Sequence, residues 1–213
     1  MIPPVEDIRS HGCVLTLRQF EGPEAAELFF SCRPPAGADS RLQATAACTA
    51  ILDVLQGKGA TYADVVTETC FLRDLSTDLA ALRDARQRVL IGAGELTQPP
   101  AIMEVVQPPL NSQHALEILV HAVVPFRAPV QKATHSAETA CGCPECAELH
   151  ASLVRIGSES RLCAGNIFGA GATAFEQTTN MFELAESLLR HAGMAFSDVM
   201  RTWIYFPEME RDY

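Results

Sequence analysis

The sequence predicts an α+β fold made of two tandem copies of one unit, the second shorter than the first. Three observations carry this. Apolar residues switch between strand alternation and helical spacing along the chain. The first copy reads ββαβαββ, an order that lets helices cover one face of a sheet. The chain also matches itself at a shift of 134 residues: Gln43 falls on Gln177, Leu55 on Leu189, Asp64 on Asp198 and Val65 on Val199.

The elements follow in order. Cys13 to Phe20 alternates and reads as a strand, broken by Gly22-Pro23. Ala26 to Cys32 is a second strand, ended at Arg33-Pro34-Pro35-Ala36-Gly37. Leu42 to Leu55 carries Ala46, Ala47, Ala50, Ile51, Val54 and Leu55 at helical spacing, with Gly57 and Gly59 as a stop. Val65 to Leu72 is rich in β-branched residues and reads as a strand. Leu79, Leu82, Ala85 and Val89 mark one face of a helix over Leu79 to Leu90. Ile102 to Val106 and Leu116 to Val124 are strands separated by Pro108-Pro109.

Residues 1–127 therefore form the first unit, 128–150 a small, polar, Cys-rich linker, and 151–213 the second unit. In that second unit Leu153 to Ile156 and Arg161 to Ala164 read as strands, Ala174 to Ala192 as a helix ended by Gly193, and Val199 to Phe206 as a strand. The stretch from Tyr62, YADVVTETCFLRDL, lies over FSDVMRTWIYFPEM from Phe196 without a gap. By the same shift, a second helix and two strands are missing after Tyr213. A sheet without them has an open edge and an uncovered face, so either the natural protein is longer or something else completes the unit; a longer natural protein is expected.

Composition narrows the function. Hydrophobic residues make up 48% of the 213, enough for a core. Lys and Arg number 16 against 26 Asp and Glu, a net charge of −10. Such a chain lacks the broad basic field of a sequence-independent nucleic-acid binder, so nucleic acid is not an expected partner. No apolar run is long enough to span a membrane, and the N-terminus lacks the pattern of an export signal. A cytoplasmic protein is expected. Its eight cysteines are then not expected in disulfides. The scattered Cys13, Cys32, Cys48, Cys70 and Cys163 read as small buried hydrophobes.

The bunched cysteines read differently. Cys141, Cys143, Cys146 and His150 have the spacing C-x-C-x2-C-x3-H, three thiolates and an imidazole suited to tetrahedral zinc, with His135 as a spare ligand. Redox chemistry, an iron–sulfur centre and a linker with idle thiols are the other readings of the same cluster. The chain has no Walker loop and no GxGxxG, and Gly169-Ala170-Gly171 lacks the context for phosphate binding.

Several runs resemble the reactive intermediate deaminase (Rid, or YjgF-like) family. The run LLRHAGMAFSDVMRTWIYFPEM from Leu188 is similar to the family's helix–turn–strand signature. Ala164-Gly165-Asn166 resembles its SGQ turn, and PAIMEVVQPPLNSQHALEILVHAV from Pro100 its ending. The resemblance implies a chorismate-mutase-like fold, a homo-oligomer in which three units share a barrel, and clefts between units. It implies hydrolysis of imines or enamines to a keto acid and ammonia, with no cofactor required for catalysis; a structural zinc would be a local staple. The implied partner is a small-molecule acid.

Under the resemblance, Glu117 falls on the glutamate that orients the attacking water, while Ile102 stands where the family has its carboxylate-binding arginine. The family's GPYSQA run is absent. The first unit is thus expected to be degenerate. Ser31, Cys32, Ile102 and Asn166 are expected to line the substrate pocket, although burial in the core is the other reading for Cys32, and a solvent-facing edge position for Glu117. Arg201-Thr202-Trp203-Ile204-Tyr205 is also similar to a run in chorismatases, which release pyruvate from chorismate. That chemistry is one alternative; a non-catalytic binding or assembly module is another. Trp203 and Tyr205 share a strand face and read as core or interface, with substrate stacking as the other reading; Arg201 on the same face reads as an interface salt-bridge partner, and His114 and His121 are assigned no catalysis.

Overall fold

The computed structural model describes residues 3–91, 99–126, 131–135 and 151–205. Six strands form one sheet: β1 (Glu6–Ser10), β2 (Cys13–Glu21), β3 (Ala25–Arg33), β4 (Val65–Leu72), β5 (Ala101–Val106) and β6 (Leu116–Pro125). Their order is β1-β2-β3-β6-β4-β5. All neighbours are antiparallel except β4 and β5, which are parallel and joined by the helix α2 (Leu75–Ala85). A parallel pair needs such a crossover. The helix α1 (Ser40–Gly57) connects β3 to β4 and packs beside α2 on the same sheet face.

Local chemistry sets the helix ends. Asp39 caps α1 by accepting from the Leu42 amide at 2.9 Å, and Asp74 caps α2 from Thr77 at 2.9 Å. Gly59, at φ +74°, closes α1 in the left-handed region where a side chain would be strained. The covered face is one continuous core. Leu15, Leu17, Leu28, Phe30, Leu72, Leu116 and Ile118 of the strands meet Ala44, Ala47, Cys48, Ile51 and Leu55 of α1 and Leu82 of α2.

Part of the opposite face is covered by a second sheet, a meander of β7 (Gln131–His135), β8 (Ala151–Ile156) and β9 (Glu159–Ala164). Val154 of β8 packs on Ala25, Val66 and Val123 of the first sheet, with Ile156 and Cys163 beside them. The helix α3 (Ala174–His191) lies across the far side of this meander, where Leu188 meets Ala151, Leu162 and Ile167.

The 134-residue shift holds for backbone detail. Both ends of α3 stand 134 residues after those of α1. The 3-10 turn Phe196–Asp198 stands the same distance after Tyr62–Asp64. Gly193 (φ +72°) matches Gly59. The Ala60 amide bonds Leu55 O at 2.8 Å, and Met194 bonds Leu189 O at 2.8 Å.

Three expectations are corrected. The helix over Leu79 to Leu90 instead starts at Leu75 and gives way after Ala85 to a π-turn, Arg86–Ile91, where Arg86 is drawn into the core. Val199 to Phe206 is not a strand over its described residues: 199–205 is irregular and exposed, and among the described residues no strand lies beside it to complete a ladder. Within 128–150, residues Gln131–His135 form a strand paired with β8, so this part of the stretch read as linker is sheet. Edge strand β1 was also not foreseen from the sequence.

Candidate functional site

The site begins at β5, the edge of the first sheet. Its register sets Ile102 against Glu68 and Glu104 against Cys70. Side chains alternate along a strand, so Ile102 shares the side of Glu104. That side is the helix side, because Glu104 accepts from Arg83 Nη2 at 2.7 Å and Nε at 3.3 Å. Arg86 Nη1 reaches Glu104 at 3.3 Å and its Nη2 reaches Glu68 Oε1 at 2.7 Å.

Glu68 is fully buried. Tyr62 donates to it at 2.6 Å and Cys70 at 3.1 Å, while Arg86 adds an Nε bond at 3.0 Å. Burial alone would raise its carboxyl, but the Arg86 charge and these hydrogen bonds hold it below the usual range. Burial pushes the thiols the other way: Cys70 is well above its ordinary value and Cys48 is raised to about 12. Neither is a nucleophile at neutral pH. The ion-pair network holds β4, β5 and the π-turn together.

The second sheet meets this edge through the turn after β9. Asn166, in the left-handed region at φ +52°, accepts from the Glu104 amide at 2.9 Å, and its Nδ2 lies 3.5 Å from Glu104 Oε2. Gly165 makes the approach feasible, since a Cβ there would collide with the Ile102 carbonyl. Ile102 and Asn166, expected to share a pocket, are thus brought together.

The other expected residues lie elsewhere. Glu117 on β6 faces the side away from the helices, opposite Phe71 of β4, and is half-buried. Ser31 shares that face one strand over, opposite Leu119. Cys32 does not join them: it is fully buried on the helix side, 3.8 Å from Ala47 O. Glu117 and Ile102 face opposite sides and stand roughly 14 Å apart in the sheet plane by strand spacing and rise, so one small molecule cannot touch both within this unit. Cys141, Cys143, Cys146 and His150 lie outside the described residues. Among the described residues no group of three or more His, Cys, Asp or Glu side chains could hold a metal, and no helix is long and apolar enough to cross a membrane.

Sequence reading missed a second cluster, between the two sheets. His121 of β6 donates from Nε2 to Glu27 Oε2 at 2.9 Å, and Arg161 of β9 reaches Glu27 Oε1 at 2.8 Å. Phe29 stacks on His121 with centroids 4.2 Å apart. Burial outweighs the pull of Glu27 and lowers the His121 value, so the ring is neutral at pH 7. The missed signals were legible: Glu27 and His121 are polar positions in apolar strands, and Arg161 follows Glu27 by the repeat shift.

No family model matches the sequence, and no curated protein does. Solved structures are similar to about half of it. A YjgF-family protein from Neisseria meningitidis is 23% identical over 53% of this chain and 97% of its own, with a TM-score of 0.40. A translation-initiation-inhibitor-like protein from Salmonella typhimurium is 22% identical over 51% and 97%, with a TM-score of 0.42. E. coli TdcF, solved with bound serine, is 21% identical over 49% and 84%, with a TM-score of 0.40.

Proposed function

We propose that the chain is a Rid-like protein that hydrolyses a small imine or enamine acid in a cleft over the open face of the first sheet, completed by a neighbouring unit. The observation that carries this is the position of Glu117. A carboxylate sits half-buried on the uncovered face of a strand whose other face is solid core. It can accept a proton from a water attacking the C=N carbon. The enamine tautomerises to the imine, water adds to carbon, the C–N bond breaks, and ammonia leaves behind the keto acid. The second sheet covers part of this face, and a further unit in a homo-oligomer would supply the cation that Ile102 cannot.

One observation favours a second reading. With Ile102 at the arginine position and the Asn166 side chain spent on Glu104, the first unit is an assembly or binding module. An assay separates the readings. 2-Aminoacrylate generated in situ should yield ammonia and pyruvate faster than its spontaneous hydrolysis, and Glu117→Ala should abolish the excess. Pyruvate from chorismate without ammonia would point to the chorismatase-like alternative. No turnover of either substrate supports the module.

A further inference from the structure

We infer that Glu27, His121 and Arg161 form a pH-sensitive latch between the two sheets: one proton on the His121 ring loosens the seat of β8 and β9 on the first sheet. The inference rests on side chains packed between those strands and stands apart from the chemistry proposed above.

Glu27 is the shared part of the latch. Its Oε2 accepts from His121 Nε2 at 2.9 Å within the first sheet, and its Oε1 accepts from Arg161 Nη1 at 2.8 Å across from β9. Among the described residues, this is the ion pair that joins the two sheets. The apolar seat lies beside it, where Val154 packs on Ala25, Val66 and Val123. In the β3–β6 register Glu27 stands opposite Val123, and His121 opposite Phe29. The polar cluster and the apolar seat are thus neighbouring rungs of one face.

The ring has little room for a charge. Phe29 covers one of its faces with the planes 7° apart, and the His121 side chain is 16% exposed. Glu27 from β3 and Arg161 from β9 are the charges against it, and Glu159 takes the outer side of Arg161 at 2.8 Å. Arg18 of β2 stands opposite Phe29, exposed, and Glu117 lies further along the same face of β6. Burial pushes the Cys163 thiol of β9 up, so it stays neutral. Thr67, opposite His121 on β4, and Val154 of β8 do not titrate. A proton on His121 must therefore share one carboxylate with the Arg161 guanidinium in a place poor in water.

The sign follows from this crowding. Burial, with the Arg161 charge, holds the His121 value below its ordinary one against the pull of Glu27. With the second sheet lifted, the ring is hydrated and titrates at the ordinary histidine value. Docking is at full strength above that ordinary value and weakens as pH falls from it through the lowered one. Glu27 stays charged over this range, because bonds from Arg161 and His121 overcome its burial and hold its carboxyl below the usual range.

The test follows amide exchange in β8 and β9 of the whole chain between about pH 8 and about pH 5, each rate divided by the intrinsic rate at that pH. Protection in β8 and β9 should fall by up to about tenfold per pH unit below the ordinary histidine value, the limit for one proton. Protection in α1 should hold. His121→Gln keeps a donor for Glu27 but cannot take the proton, so its β8 and β9 should keep one level of protection throughout. An NMR titration of the His121 ring in the unaltered chain reads the same coupling without a substitution, and should fall below the ordinary value. Constant protection of β8 and β9 in the unaltered chain, an equal loss in His121→Gln, or a ring that titrates at or above the ordinary value would each overturn the inference.

Discussion

Gln43 and Gln177 occupy the same position in two helices with the same bounds and the same closing glycine, yet they live in different surroundings. Gln43 is fully buried and makes three hydrogen bonds: Nε2 to Ala38 O at 2.7 Å and Gln113 O at 3.0 Å, and Oε1 from the Ala115 amide at 2.8 Å. Two of these partners belong to the approach to β6. Gln177 is exposed and bonds Gly171 O of its own loop at 3.0 Å. Local sequence thus makes the helix, cap and turn twice. Among the described residues, what covers α1 and not α3 is nonlocal: β6 and α2 pack on α1. This is the usual division between propensity, which shapes an element, and tertiary packing, which stabilises it.

The largest difference between the two segments is expected at Glu68, whose counterpart at the 134-residue shift is Thr202. Arg86→Met leaves a buried carboxylate unpaired and should cost about 3–5 kcal/mol in chemical denaturation. Thr202→Ala, in the exposed segment, should change stability by less than about 0.5 kcal/mol. Leu55→Ala, in the α1 core, should cost about 2–5 kcal/mol. Phe182→Ala should cost less than about 1 kcal/mol, because the ring is partly in water already.

A smaller effect is expected at the turn after β9, which docks the second sheet on β5. Gly165→Ala should force the turn off β5, with an overpacking cost of about 1–3 kcal/mol. Hydrogen exchange at the Glu104 amide should then accelerate, as its Asn166 acceptor is lost. The pH dependence differs by cluster. The Glu68 carboxyl is lowered on folding, so its contribution is full above the ordinary Glu range and is lost as pH falls through its lowered value. Glu27 is also lowered, with burial opposed by Arg161 and His121, and has the same sign. Being nearer solvent, it should matter less. Arg161→Gln should move the Glu27 titration back up, a shift that NMR would read.

Most of the first repeat was legible in the sequence. Strands β2 to β6 and α1 announce themselves by alternation or helical spacing, and β4 coincides with its expected bounds. Strand β1, Glu-Asp-Ile-Arg-Ser, carries almost no apolar pattern because it is an exposed edge, and the polar β7 hid for want of the same pattern. Val199 to Tyr205 failed in the opposite sense: its β-branched and aromatic residues suit a strand, but a strand needs a neighbour. Among site residues, Glu117 stood out as a lone acid in an apolar strand. Glu68 carries the same signal more strongly, since it shares the apolar face with Cys70 and Leu72, and a buried acid there calls for an arginine partner. The contact of Asn166 with Glu104 was not readable, because it depends on how the two sheets dock.

The most direct test is hydrogen exchange of the whole chain, comparing α1 with α3. In residues 1–213, the buried face of α1 and the exposed faces of α3 predict that amides of α1 exchange only on global unfolding, while those of 175–187 in α3 exchange orders of magnitude faster. Equal protection of the two helices would contradict the account, because α3 would then be covered as fully as α1.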